Sequence, residues 1–167
     1  IAAALKEPSL RCVVFDLPVA VKIAQEKVRE YGLQDRISLL GGNFHSDSIG
    51  SDYDLILVSN ILHSQSEKEM ASLLRKCYDA TAPGGRIVIH DFDISEDRTE
   101  PPDSAIFAVH MLVATRSGRV YTPEELCAQV TRAGYSRAEK ILTRDKTRVI
   151  ISRRLVGDNQ NPNNTER

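Results

Sequence analysis

Four places along the chain combine reactive side chains with a setting in which they can act. Asp16 closes the apolar stretch RCVVFD and is followed by Leu17 and Pro18. There it reads either as a helix N-cap or as an acceptor for sugar hydroxyls, and one carboxylate has oxygens for both. GGNF, Gly41 to Phe44, follows the next apolar stretch. Its glycines permit close backbone approach, Asn43 can read a base edge and Phe44 offers an apolar face; the alternative is an ordinary turn with Phe44 in the core. SNILHSQSEKE sets His63 in a short connection, where a neutral imidazole suits removal of a hydroxyl proton. A helix-entry histidine bonded to backbone explains the same residue. Finally, IHDF carries His90 and Asp91, and a carboxylate there can orient His63 and stabilise its protonated ring, or cap a surface turn. Strand alternation sends His90 and Asp91 to opposite faces, so only one should meet the crevice. The remaining histidines, His45 and His110, add no metal-ligand spacing.

These residues need strands and helices in alternation. RCVVFD reads as a strand and VAVKIAQEKVREYG as an amphipathic helix stopped by Gly32. RISLLGG is a short strand. YDLILVSN is apolar throughout, the pattern of a central parallel strand covered on both faces. SEKEMASLLRKCYDATAPGG is a helix with a Ser66–Glu69 capping box, ended by Pro83-Gly84-Gly85, and RIVIHDF is the next strand. A polar loop, DISEDRTEPP, leads into the apolar helix DSAIFAVHMLVAT. A further helix has Thr122 as N-cap and Pro123 at its first position, and ends at Gly134. YSRAEKILT and KTRVIISRR form a hairpin turned at Arg144-Asp145. The expected fold is therefore α/β, a Rossmann-like, doubly wound, mostly parallel sheet with a C-terminal antiparallel hairpin. Residues 1–156 form the domain and 157–167, polar throughout, a disordered tail. Ligands in such sheets sit at the carboxyl ends of strands, which is where Asp16, Asn43, His63 and Asp91 fall.

Bulk composition narrows the classes. At 167 residues the chain suffices for one domain with a core. Lys+Arg 22 against Asp+Glu 23 leaves a net charge of −1, which disfavours nucleic acid as a partner. No apolar run approaches the roughly 18 residues of a membrane span. Cys12, Cys77 and Cys127 are scattered and odd in number, as reduced thiols in a cytoplasmic protein would be. An Asn-x-Thr triplet at Asn163–Thr165 reads as chance.

Taken in order, VVFDLP, GGNF, SNILH, APGGRIVIHDF, HMLVATRSGRVYTPEEL and AGY resemble the catalytic domain of class I S-adenosylmethionine-dependent O-methyltransferases of the plant caffeate/hydroxyindole type, in their bacterial or fungal branch. The resemblance runs to about Arg154. It implies Asp16 as the ribose-binding acid, with Leu17 beside it against the adenine. Asn43 stands where the family has Asp, and Phe44 matches the apolar residue of that turn. Ser59, which replaces a common lysine, belongs to the cofactor side. His63 matches the catalytic base and Asp91 the acid that holds it. Met111 matches a methionine on the acceptor's ring, with Phe107 and Ile106 on the same apolar wall. Ser64 and Gln65 replace the usual Asp-Trp, and Val120 a second carboxylate. The family's glycine-rich first strand and dimerising N-terminal domain have no counterpart in this sequence, so a fragment is expected, inactive alone, with a homodimer expected of the full-length form. What the resemblance implies is methyl transfer from S-adenosylmethionine, leaving S-adenosylhomocysteine, to a small aromatic hydroxylated acceptor of secondary metabolism, with no metal, membrane or nucleic-acid partner. A non-catalytic module of the same fold and a nicotinamide-dependent dehydrogenase are the rival readings.

Overall fold

The computed structural model describes residues 1–143 and 147–157. Two units divide the chain at Gly50. In the first, a short helix α1 (Ala2–Lys6) precedes strand β1 (Cys12–Asp16), helix α2 (Pro18–Glu30) and strand β2 (Ile37–Gly41). The strands pair in parallel, from Cys12 opposite Ile37 to Asp16 opposite Gly41. Ala4, Val28, Leu33 and Ile37 form the core, with Cys12 and Leu39 packed against it. Pro18 opens α2, where its missing N–H costs nothing, and Gly32 at φ +63° ends it. Arg36 donates to the carbonyls of Ala4 and Pro8, which ties the end of α1 to the start of β2.

In the second unit, β3 (Tyr53–Ser59) leads through a 3-10 turn (Leu62–Ser64) to α3 (Glu67–Ala80) and β4 (Thr81–Phe92). There follow α4 (Pro102–Ala114), α5 (Pro123–Arg132), β5 (Glu139–Leu142) and β6 (Thr147–Arg153). The sheet order is β3-β4-β6-β5. β3 and β4 run parallel, and β6 pairs antiparallel with both β4 and β5, the expected closing hairpin. Its turn residues, Arg144-Asp145, lie outside the described residues, as does the tail from residue 158 with its Asn163 triplet. Leu62, Met70, Leu74, Ile87, Ile89, Leu126, Val130 and Ile150 fill the core. The Ser66–Glu69 capping box forms as expected, and Thr122 with Glu125 forms a second one at α5.

Three local expectations change. α3 stops at Ala80, three residues before Pro83, because Thr81 already turns extended and its hydroxyl donates to the Cys77 carbonyl. β4 therefore starts at Thr81, with a register irregularity opposite Tyr53 and Leu55 that absorbs Pro83 and Gly84. β3, read as covered on both faces, buries Val58 but leaves Leu55 53% and Leu57 60% exposed among the described residues. It is the edge of this four-stranded sheet. In α4, Ile106 lies on an exposed face with Val109, Leu112 and Val113, away from buried Met111.

Two tests follow from this packing. A Cβ on Gly85 would stand 2.7 Å from Thr81 Cγ2 and 2.9 Å from the Tyr53 carbonyl oxygen. Gly85→Ala should lower unfolding free energy by about 1–3 kcal/mol in urea titration. Burial also pushes the Cys77 thiol up to about 12, and it raises the Cys127 thiol and the Tyr135 phenol. These groups ionise more easily when unfolded. Their contribution is thus complete below the unfolded thiol value of 9.0 and is lost as pH rises toward about 12. The urea midpoint should fall over that window, and Cys77→Ala should flatten the fall.

Candidate active site

The chemistry of the second unit gathers where β3 and β4 end. Their parallel register sets Ser59 opposite His90. One residue later Asn60 turns left-handed at φ +55°, a conformation asparagine tolerates, and its N–H donates to the His90 carbonyl at 2.9 Å. The chain then enters the 3-10 turn, anchored by fully buried Leu62, and His63 swings back over the tip of β4.

There His63 Nδ1 lies 2.7 Å from Asp91 Oδ1. The two side chains are 13% and 5% exposed. Asp91 also accepts from the Phe92 N–H at 2.9 Å and from the His63 N–H at 3.4 Å, so its oxygens are satisfied. A carboxylate only accepts, so Nδ1 carries the hydrogen, and in the neutral ring the lone pair is then on Nε2. Nε2 makes no hydrogen bond among the described residues. Two aromatic rings wall the imidazole: Phe107 edge-on at 5.0 Å and Phe92 edge-on at 5.6 Å, themselves stacked at 3.9 Å. Phe107 thus lies against His63, and Met111, one turn further along α4, is buried. Sequence reading gave Phe92 no part; its position directly after Asp91 was the available signal.

His90 points the other way, as alternation requires. Its Nδ1 lies 3.0 Å from Ser59 Oγ and its Nε2 2.8 Å from Thr147 Oγ1. Ser59 therefore shares a face with His90, not with Asp91. That three-strand link was not read from the sequence, because it depends on the register of β6. A separate open cleft of about 650 Å³, lined by Asp93, Ile94, Glu100, Pro123, Lys140 and Arg148 among others, holds none of the sequence-predicted site residues. Among the described residues no cluster of His, Cys, Asp and Glu could hold a metal ion.

The first unit presents its own candidates at the ends of β1 and β2. Asp16 is exposed, and its Oδ1 accepts from the Leu17 N–H at 2.7 Å. The N-cap position of α2 is Leu17, so the carboxylate is not capping that helix, and Oδ2 has no partner among the described residues. Leu17 is 50% exposed. Gly42 is buried in a tight place: a Cβ would lie 2.9 Å from the Phe15 ring, which would have to shift. Asn43 closes a tight turn, its Oδ1 accepting from the His45 N–H and its own N–H donating to Asp47. Phe44 is half-buried, its ring 4.5 Å from that of His45.

Comparison with known proteins adds a family. Residues 1–136 match the O-methyltransferase domain. Among curated relatives, the 3-hydroxy-5-methyl-1-naphthoate 3-O-methyltransferase of Streptomyces sahachiroi is 32% identical over 81% of this chain and 39% of its own length. Acetylserotonin O-methyltransferase of Gallus gallus is 33% identical over 77% of this chain and 36% of its own. Among solved structures, an O-methyltransferase family 2 protein of Planctomyces limnophilus, in complex with apigenin, superposes with a TM-score of 0.85 at 31% identity, covering 92% of this chain and 46% of that one. The chain thus spans less than half the length of these relatives. With the ordered motifs, the paired parallel strands and the match over residues 1–136 all in agreement, the chain belongs to the O-methyltransferase domain family.

Proposed function

We propose that the full-length protein containing this chain methylates a hydroxyl of a small aromatic acceptor, with His63 as general base. The observation that carries this reading is the His63–Asp91 pair: a 2.7 Å contact, little exposed, that leaves Nε2 free to accept a proton. S-adenosylmethionine, when bound, supplies the electrophilic methyl group and departs as S-adenosylhomocysteine. His63 Nε2 takes the acceptor's hydroxyl proton as the oxygen attacks, and Asp91 stabilises the imidazolium that results. Phe92 and Phe107 keep water from the imidazole and offer flat apolar surface to an aromatic acceptor, with Met111 behind. Asp16 Oδ2 is the proposed acceptor for ribose hydroxyls, and Leu17, half-exposed, for the adenine face. Phe44, Asn43 and Ser59 are proposed as further cofactor contacts. We further propose a homodimer working in the cytoplasm. The exposed apolar face of α4, with Leu112 at 70% and Val113 at 82%, supports a covering partner, and the three free thiols suit a reducing compartment.

A second reading, a non-catalytic binding module, draws support from two engaged side chains: Asn43 Oδ1 caps its own turn and Ser59 is bonded to His90. One set of measurements separates the two. In the full-length protein, His63→Gln should lower the rate of methyl transfer by about 10²–10⁴-fold. Asp91→Asn, which releases the tautomer, should lower it at least as far toward that range. Calorimetry should find affinity for S-adenosylhomocysteine essentially unchanged in both. Undiminished turnover in His63→Gln removes the base assignment, and binding without any turnover in the unaltered protein favours the module.

A further inference from the structure

The turn carrying His63 is only three residues long, Leu62–Ser64, and 3-10 hydrogen bonds have poorer geometry than those of an α-helix. Asp91 holds one ring nitrogen and, at a longer 3.4 Å, the His63 N–H, which leaves the carbonyl side and the exit of the turn to be held by other groups. Something must hold that backbone from outside.

The segment between α4 and α5 does so. Gly118 is buried against the turn: a Cβ there would stand 2.6 Å from the His63 carbonyl oxygen and 3.0 Å from Ser64 Cα. Its N–H donates at 2.7 Å to Thr115 Oγ1, which itself donates to the Met111 carbonyl at 2.8 Å. The same hydroxyl thus joins the helix bearing Phe107 and Met111 to the residue that touches the His63 backbone. Three residues on, Tyr121 is 3% exposed, and its hydroxyl donates to the Gln65 carbonyl at 2.6 Å, where the turn exits. Burial raises the Tyr121 phenol above its ordinary value, so it stays a donor. The intervening Arg119 lies over the Tyr121 ring at 4.7 Å and reaches Glu67 at 2.6 Å and Glu125 at 3.0 Å. Arg98 donates to the Val120 carbonyl at 2.9 Å.

From this geometry we infer that Gly118 and Tyr121 are positioning residues for His63: together they clasp both ends of its turn and set the aim of Nε2. The inference rests on the reading of His63 as the base. Gly118 fixes how closely the segment approaches the imidazole's own backbone, and no residue with a Cβ can do so. Tyr121 fixes the exit of the turn, through one hydroxyl on a side chain with few rotamers. A misplacement of about 1 Å is enough to cost on the order of 10²-fold in rate.

The test uses the full-length protein with Gly118→Ala and Tyr121→Phe, the latter keeping the ring and its stacking on Arg119. Leu74→Ala, in the fully buried core, controls for lost stability alone. Both positioning variants should lower kcat by about ten- to hundredfold. Acceptor KM and S-adenosylhomocysteine affinity should hold, and Leu74→Ala should lower the melting temperature with kcat retained. Proton NMR of histidine-labelled protein gives a readout that needs no turnover: the low-field Nδ1–H signal of His63 bonded to Asp91 should exchange faster with water in both variants. If the unaltered protein transfers no methyl group, the base reading fails while the NMR signal still tests the clasp. Turnover retained in both variants, or a fall in kcat with the Nδ1–H signal unchanged, overturns the inference.

Discussion

A carboxylate on a side chain only 5% exposed is costly to bury unless every acceptor site finds a donor, and Asp91 sets the arrangement of everything around it. Two of its donors are backbone N–H groups, from Phe92 and His63, and the third is the His63 ring. The backbone donors orient the carboxylate that the imidazole meets. Removing the imidazole would take one of three donors from a buried charge. Stability and the proposed chemistry therefore depend on the same contact.

That contact exists because two parallel strands end in step. β3 finishes at Ser59, β4 runs two residues past the paired His90, and Asn60 bends the chain back across the gap. A shift of one residue in this register would turn Asp91 to the other face and bring His90 under the turn. The buried residues Ile87 and Ile89 hold the register, since slipping would exchange them with half-exposed or exposed neighbours. Core packing several residues away thus decides which of two adjacent side chains meets His63.

The parts of this design that are local were legible in the sequence. Capping residues Ser66 and Thr122, the stop at Gly32 and the alternation separating His90 from Asp91 all follow from short-range rules. So did the strand-end location of Asp16, although its alternative reading as an N-cap gives way to Leu17 in that position. What escaped depends on distance along the chain. Tyr121 meets Gln65 across 56 residues, and Thr147 meets His90 across 57. Neither residue type signals such a partner. The apolar run of β3 misled for a different reason: hydrophobicity reports what a face prefers to touch, and Leu55 and Leu57 are nonetheless exposed among the described residues.

The two histidines beside this strand end show why position and partner matter more than residue type. His90 lies between the hydroxyls of Ser59 and Thr147, neither of which is limited to accepting as a carboxylate is. His63 lies against a carboxylate, which accepts only, so one tautomer is selected and one nitrogen is left with its lone pair. His90 has both nitrogens engaged and joins β3, β4 and β6. His63 has one engaged and one spare. A group that exchanges protons with a ligand needs that spare nitrogen, and of these two imidazoles only His63 keeps one.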